Sequence, residues 1–144
     1  MASMVFRVIA VWLVFILAES AHGAVREMWL RPYVGDLRAR QLALLTGSVI
    51  VLSIAYAFLP WIGAESRRAR WLVGVLWVAL TVGFEFSVGR LVLGYSWDRV
   101  LEDYDPTRGG FLSLGMLLLL LSPHIAAKAR GRRASYAQTI ERGT

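Results

Sequence analysis

Apolar residues fall in four blocks along the chain, at 4–23, 37–59, 71–94 and 111–129, with short polar stretches between them. Each block holds about twenty residues, the length of helix that crosses a hydrocarbon core of about 30 Å. The first block can continue as helix to Leu30. The second is expected to stop at Pro60, which has no N–H to give to a helix. Gly35-Asp36 just before it reads as a turn plus N-cap. In the fourth block Pro123 predicts a kink. Trp29, Trp61, Trp71 and Trp97 stand at span ends, where amphipathic rings prefer to lie.

The stretch between the third and fourth blocks has its own period. Trp97, Val100, Leu101 and Tyr104 recur at helical spacing and form one apolar face, while Asp98, Arg99, Glu102 and Asp103 occupy the others. This predicts a short helix at 97–104 lying in the membrane interface and covering the polar layer beneath it. A plain connector with an aromatic anchor is the simpler reading. Asp105-Pro106 then turns the chain, and Gly109-Gly110 admits conformations closed to other residues. The lid residues are therefore Trp97, Asp98, Arg99, Tyr104 and Asp105. Their acids lack the spacing and terminal glutamate of a calcium loop.

Composition strengthens this picture. Of 144 residues, 57% are hydrophobic and none is cysteine, and the mean hydropathy is +0.54. Blocks of this kind exclude a soluble globular enzyme, a disordered tail and a disulfide-stapled domain. Thiol chemistry and cysteine-ligated metals are excluded with them. The expected fold is an all-α integral membrane protein, a four-transmembrane-helix bundle with a short interfacial helix in the third loop. There is no repeat and no long linker, so residues 1–144 read as one membrane domain. Ala79, Gly83 and Ser87, and likewise Ala43 and Gly47, recur every four residues and can let helices approach closely. Residues 117–121 are apolar all round and suit lipid or a partner subunit.

Charge predicts orientation. The amino terminus, the 62–70 loop and the basic 128–144 tail carry nine bases against Glu65 and Glu141. The opposite loops carry six bases balanced by six acids. The positive-inside rule then places both termini in the cytoplasm of what resembles a small multi-pass protein of a bacterial inner membrane. The net charge of +6 follows this sidedness rather than nucleic-acid binding, which is set aside. The tail is expected to touch anionic lipid head groups. A rival reading takes Arg7, the apolar run at 8–18 and Ala21-His22-Gly23 as a cleavable signal peptide, leaving three spans in the same orientation.

Ionisable groups within spans are costly and are functional candidates by default. Glu19, His22 and Arg26 share a face of the first helix. Glu85 lies about 13 Å below the outer end of the third span, at about 1.5 Å per residue. Arg90 comes after it on the small-residue stripe, about 140° away around the helix, so the two are not expected to pair only with each other. Glu85 is expected to face Arg26 or His22, and Arg90 to meet Glu19 or an acid of the third loop. Arg38, Arg40 and Gln41 open the second helix at the same level. The candidate ligand-binding set is thus Glu19, His22, Arg26, Arg38, Arg40, Glu85 and Arg90. An internal ion-pair network is the plainer account of the same residues.

Metal chemistry finds little support. Glu19-x-x-His22 is one copy of a unit that dinuclear bundles use twice, and His124 falls at the opposite membrane face, so no metal is assigned. A mononuclear site from Glu19, His22 and Glu85 stays open. His124 reads as capping a helix end. No phosphate-cradling loop, nucleophile elbow or triad is present, so neither an activity nor a cofactor is assigned. The leading expectation is a site for a small anionic or lipid-head-group ligand in the outer half of the bilayer. An accessory subunit of a larger membrane complex and a proton-coupled small transporter are the alternatives. Membrane lipids, and either a homo-oligomer or a larger assembly, are the expected partners.

Overall fold

A computed structural model describes residues 2–142 and is all-helical; residues 143 and 144 of the expected basic tail lie outside the described part. Helix α1 (Ala2–Val25) continues through a π-helical turn (Arg26–Leu30) into the short α2 (Arg31–Val34). Gly35, at φ 83°, turns the chain into α3 (Asp36–Ile62). Helix α4 (Arg67–Ser87) runs into a second π-helical turn (Val88–Val92). Helix α5 (Trp97–Glu102) and a 3-10 turn (Pro106–Arg108) lead to α6 (Leu112–Arg142). Four of these helical stretches are long and apolar enough to cross a membrane: Ser3–Val34, Asp36–Ile62, Arg67–Val92 and Leu112–Arg142.

The four long helices alternate in direction. Arg7 meets Trp61 and His22 meets Thr46, so α1 and α3 are antiparallel. Trp77 and Thr81 of α4 meet Val8 and Trp12 of α1, so those two run parallel. The signal-peptide reading would cut at 21–23, inside α1, where His22 is bonded across to α3.

Burial is concentrated at the end of the bundle that carries the termini. Val8, Val11 and Phe15 of α1, Ala55, Leu59 and Ile62 of α3, Val73 and Trp77 of α4, and Leu119 and Ala126 of α6 form the core there. Trp77 is fully buried; its indole N–H donates to the Val8 carbonyl (3.0 Å) and its ring meets the edge of Phe15 at 4.7 Å. An aromatic ring of this size can be buried because its one polar atom has a partner.

Three boundary expectations need correction. Helix α3 does not stop at Pro60 but continues to Ile62 and ends at Gly63, whose φ of 78° suits a glycine C-cap. A proline near a helix end forfeits a single carbonyl partner, and another donor replaces it: Arg130 bonds the Tyr56 carbonyl at 2.8 Å. Helix α6 contains Pro123, and the Ser122 hydroxyl donates to the Leu119 carbonyl at 2.8 Å. His124 therefore lies within α6 rather than at its end, with its ring packed against Trp71 at 4.5 Å. Asp36 is the first residue of α3, not its cap, and its carboxylate bonds Arg40 instead (2.9 Å).

The tightest glycine contact between the long helices is also not on the small-residue stripe. Ala79, Gly83 and Ser87 are exposed, and space is open beside the Gly83 Cα. The contact falls at Gly74, where a Cβ would run into the Leu120 backbone carbonyl of α6. Gly47 does pack closely, but against the side chains of Glu19 and His22.

Candidate functional site

The opposite end of the bundle is packed differently. Among the described residues of this end only Ala39, Gly47, Gly89, Val100 and Gly110 are buried, four of them alanine or glycine next to a single valine. Small side chains leave volume between helices, and a cavity of about 470 Å³ occupies it. All four long helices contribute to its wall. Phe15, Val51, Phe84, Met116 and Leu119 line its apolar part, and Glu19, His22, Arg26, Arg40, Glu85, Arg99 and Asp103 line its polar part. Its size and mixed lining are those of a small-molecule site.

The guanidinium groups at the mouth are all engaged. Arg26 pairs with Glu27 (3.0 Å), which pairs with Arg31 (2.8 Å), which pairs with Asp36 (3.3 Å). Asp36 pairs with Arg40 (2.9 Å), and Arg40 and Arg99 both donate to Oδ1 of Asp103, at 3.2 and 2.9 Å. A chain of alternating charges therefore runs from the π-helical turn after α1 to the lid. Pairs this exposed contribute at most about 1 kcal/mol each. Their consequence is positional, because Asp103 joins the third loop to the start of α3.

Deeper groups are paired more sparsely. His22 Nδ1 lies 3.3 Å from Oε2 of Glu19, and its Nε2 lies 2.7 Å from the Thr46 hydroxyl. The other Glu19 oxygen is buried without a hydrogen-bond partner among the described residues. Glu85 has no hydrogen bond or ion pair among the described residues, so the expected pairing with Arg26 or His22 does not form. Nor, among the described residues, do three His, Cys, Asp or Glu side chains converge as metal ligands, so Glu85 does not complete a site with Glu19 and His22.

Two residues of the expected binding set are elsewhere. Arg38 is exposed and outside the cavity. Arg90 meets neither Glu19 nor an acid of the third loop; it donates to the Tyr95 carbonyl and lies 4.9 Å over the Trp97 ring. The cause is local. The Leu93 N–H reaches back five residues to the Val88 carbonyl, and such a turn holds one residue more than an α-helical one. Each added residue rotates the rest of the helix by about 100°, which invalidates a face drawn at uniform spacing.

The short helix of the third loop forms, but over Trp97–Glu102 rather than 97–104. Ser96 caps it, accepting from Arg99 N, and the chain before Pro106 leaves the helical region. Of its expected apolar face only Val100 is buried, seated on Gly89, where a Cβ would meet it at 3.0 Å. Trp97 and Leu101 are exposed, with Trp97 resting against Phe86 at 5.7 Å. Tyr104 packs on Phe86 as well (5.8 Å) and buries a hydroxyl that has no hydrogen-bond partner among the described residues. Burial, with the carboxylates of Glu85 and Asp103 nearby, pushes its phenol up to about 12. Asp98 is exposed, and Asp105 turns outward to bond Thr107, which holds its carboxyl below the usual range.

Glu19, His22, Arg26, Arg40 and Glu85 are thus brought to one cavity, together with Arg99 and Asp103 of the lid region. Residues that sequence reasoning did not single out are Glu27, Arg31, Thr46 and Gly47. The first two were visible only as loop charges. Gly47 was visible as a small residue, but not as the floor beneath Glu19 and His22. Comparison with protein-family models, with curated proteins and with solved structures finds no match for this chain.

Proposed function

We propose that this protein is a four-span membrane protein that binds an amphipathic ligand in the outer half of the bilayer, with both termini in the cytoplasm of a bacterial inner membrane. The observation that carries the reading is the cavity of about 470 Å³, apolar toward the bundle core and charged at its mouth. That polarity matches a molecule with a polar head and an apolar body, such as a lipid head group with the first part of its chain. A purely anionic ligand fits less well, because every guanidinium lining the cavity already has an acid within 4.0 Å.

The alternating charges at the mouth would position the head, and the lid held through Asp103 would cover it. Glu19 and His22, bonded to each other, with His22 also bonded to Thr46, would orient the ligand or exchange a proton with it. The experiment is native mass spectrometry of protein extracted in mild detergent from its own membrane. A discrete, stoichiometric extra mass is expected. A bare protein without bound mass would leave the charged layer as an internal ion-pair network. Other proteins at fixed stoichiometry would make the chain a subunit of a larger complex.

A further inference from the structure

We infer that the ligand of this cavity carries a positively charged amine, and that Glu85 receives it; the inference rests on the ligand-binding reading above and names the ligand's class. The charges that line the cavity are four bases, Arg26, Arg31, Arg40 and Arg99, and four acids, Glu19, Glu27, Glu85 and Asp103. The numbers balance but the pairing does not. Each of the four guanidiniums lies within 3.2 Å of an acid oxygen, and two of their partners, Asp36 and Glu102, lie outside the cavity lining. Among the lining acids, Glu27 and Asp103 take two guanidiniums each, Glu19 has only His22, and Glu85 has none among the described residues.

A carboxylate on a partly apolar wall is unfavourable until a cation or a proton joins it. The chain supplies no such cation among the described residues. Arg90, five residues on, is turned to the Tyr95 carbonyl, and Arg40 and Arg99 are held by Asp103. A metal ion is disfavoured by the lack of three converging ligands among the described residues. An ammonium group suits the place better: it needs one carboxylate and further oxygen acceptors, and it tolerates aromatic walls. The oxygen of Glu19 that has no hydrogen-bond partner among the described residues is such an acceptor on the same cavity wall. Phe84 is the neighbouring aromatic wall. The ligand is then an amphipathic ammonium, borne either by a phospholipid head group or by a free amine with an apolar tail.

The test uses the purified full chain and three lipids differing only in the head: dioleoyl phosphatidylethanolamine, its N-acetylated derivative and dioleoyl phosphatidylglycerol. Lipid retained at saturation is counted by native mass spectrometry. The ethanolamine lipid should be retained in at least tenfold excess over both others. Glu85→Gln, of nearly the same shape, should reduce that excess to about onefold. The N-acetylated lipid removes the cation without altering the protein, so the test survives if the variant does not fold. Equal retention of all three lipids would overturn the amine assignment and leave ligand binding intact. Preference for the glycerol lipid would overturn it in favour of an anion site. Retention of none, with decylammonium also unbound, would overturn the ligand-binding reading itself. Decylammonium at submicellar concentration separates the two sources: retained through Glu85, it makes the phosphate dispensable, and unbound beside a retained ethanolamine lipid, it makes the phosphate necessary.

Discussion

The Arg130 guanidinium donates to the Tyr56 carbonyl at 2.8 Å, the carbonyl that Pro60 leaves without its helical donor. The same guanidinium lies 4.8 Å over the Tyr56 ring. Arg130→Met keeps the apolar stem and removes the donor. It should cost about 1–3 kcal/mol, the range for a lost hydrogen bond from a charged group. In a Pro60→Ala background the new N–H can serve Tyr56, so the same change should cost about 1 kcal/mol less. Reversible unfolding of the four variants in one detergent measures the coupling. Additive costs would refute the compensation.

Gly74 should be the least replaceable small residue. A Cβ there meets the backbone of Leu120, which cannot rotate away as a side chain can. Gly74→Ala should lower stability by about 2 kcal/mol or more, in the range for overpacking. Gly83→Ala, in open space, should leave the melting temperature unchanged or slightly raised. Paired melting curves check both.

Neutralising Asp103 should loosen the lid. Asp103→Asn retains the shape but gives up the charge that both Arg40 and Arg99 meet. Gly115 lines the cavity and has open space for a side chain, so a cysteine placed there reports access from the mouth. Its labelling rate should rise several-fold in the Asp103→Asn background. An unchanged rate would mean that the lid is held by Val100 on Gly89 rather than by the ion pairs.

Alkaline titration offers a separate check on the same region. The Tyr104 phenol keeps its proton to about 12 when folded, whereas an unfolded phenol releases it near 10. The folded state therefore holds more protons than the unfolded state in this window. The contribution of this group to stability is complete below about pH 10 and declines as pH rises toward about 12. Tyr104→Phe should flatten that decline, measured as melting temperature against pH, and should delete a phenolate absorbance step at about pH 12.

Orientation can be settled with single cysteines, since the chain has none of its own. With both termini in the cytoplasm, a cysteine at Thr107 is labelled by an impermeant reagent from outside and one at Ser135 only after permeabilisation. The reverse pattern would move the cavity to the cytoplasmic leaflet.

The long helices and the short helix of the third loop were legible in the sequence because length, hydropathy and period are properties of a segment by itself. The gathering of charge at one end was legible for the same reason, since topology is set by the order of the spans. So Glu19, His22, Arg26, Arg40 and Glu85 could be assigned to one layer before any contact was known. Helix ends were less legible: Pro60 read as a stop because the donor that relieves it, Arg130, cannot be recognised as such from spacing.

Tertiary structure alone decided which faces meet. Sequence spacing sets the angle between two side chains on one uniform helix, but not how that helix is rotated against its neighbours. Rotation is settled by the sum of contacts along an interface, here by buried Trp77 against α1 and bare Gly74 against α6. Two π-helical turns then shift the register near the charged layer. Those effects turned Arg90 away toward Tyr95, left the stripe from Ala79 to Ser87 exposed, and left Glu85 lining a cavity without a partner among the described residues. An ionisable residue is visible in a sequence; whether it is paired depends on the distance to an atom on another helix, which only packing determines.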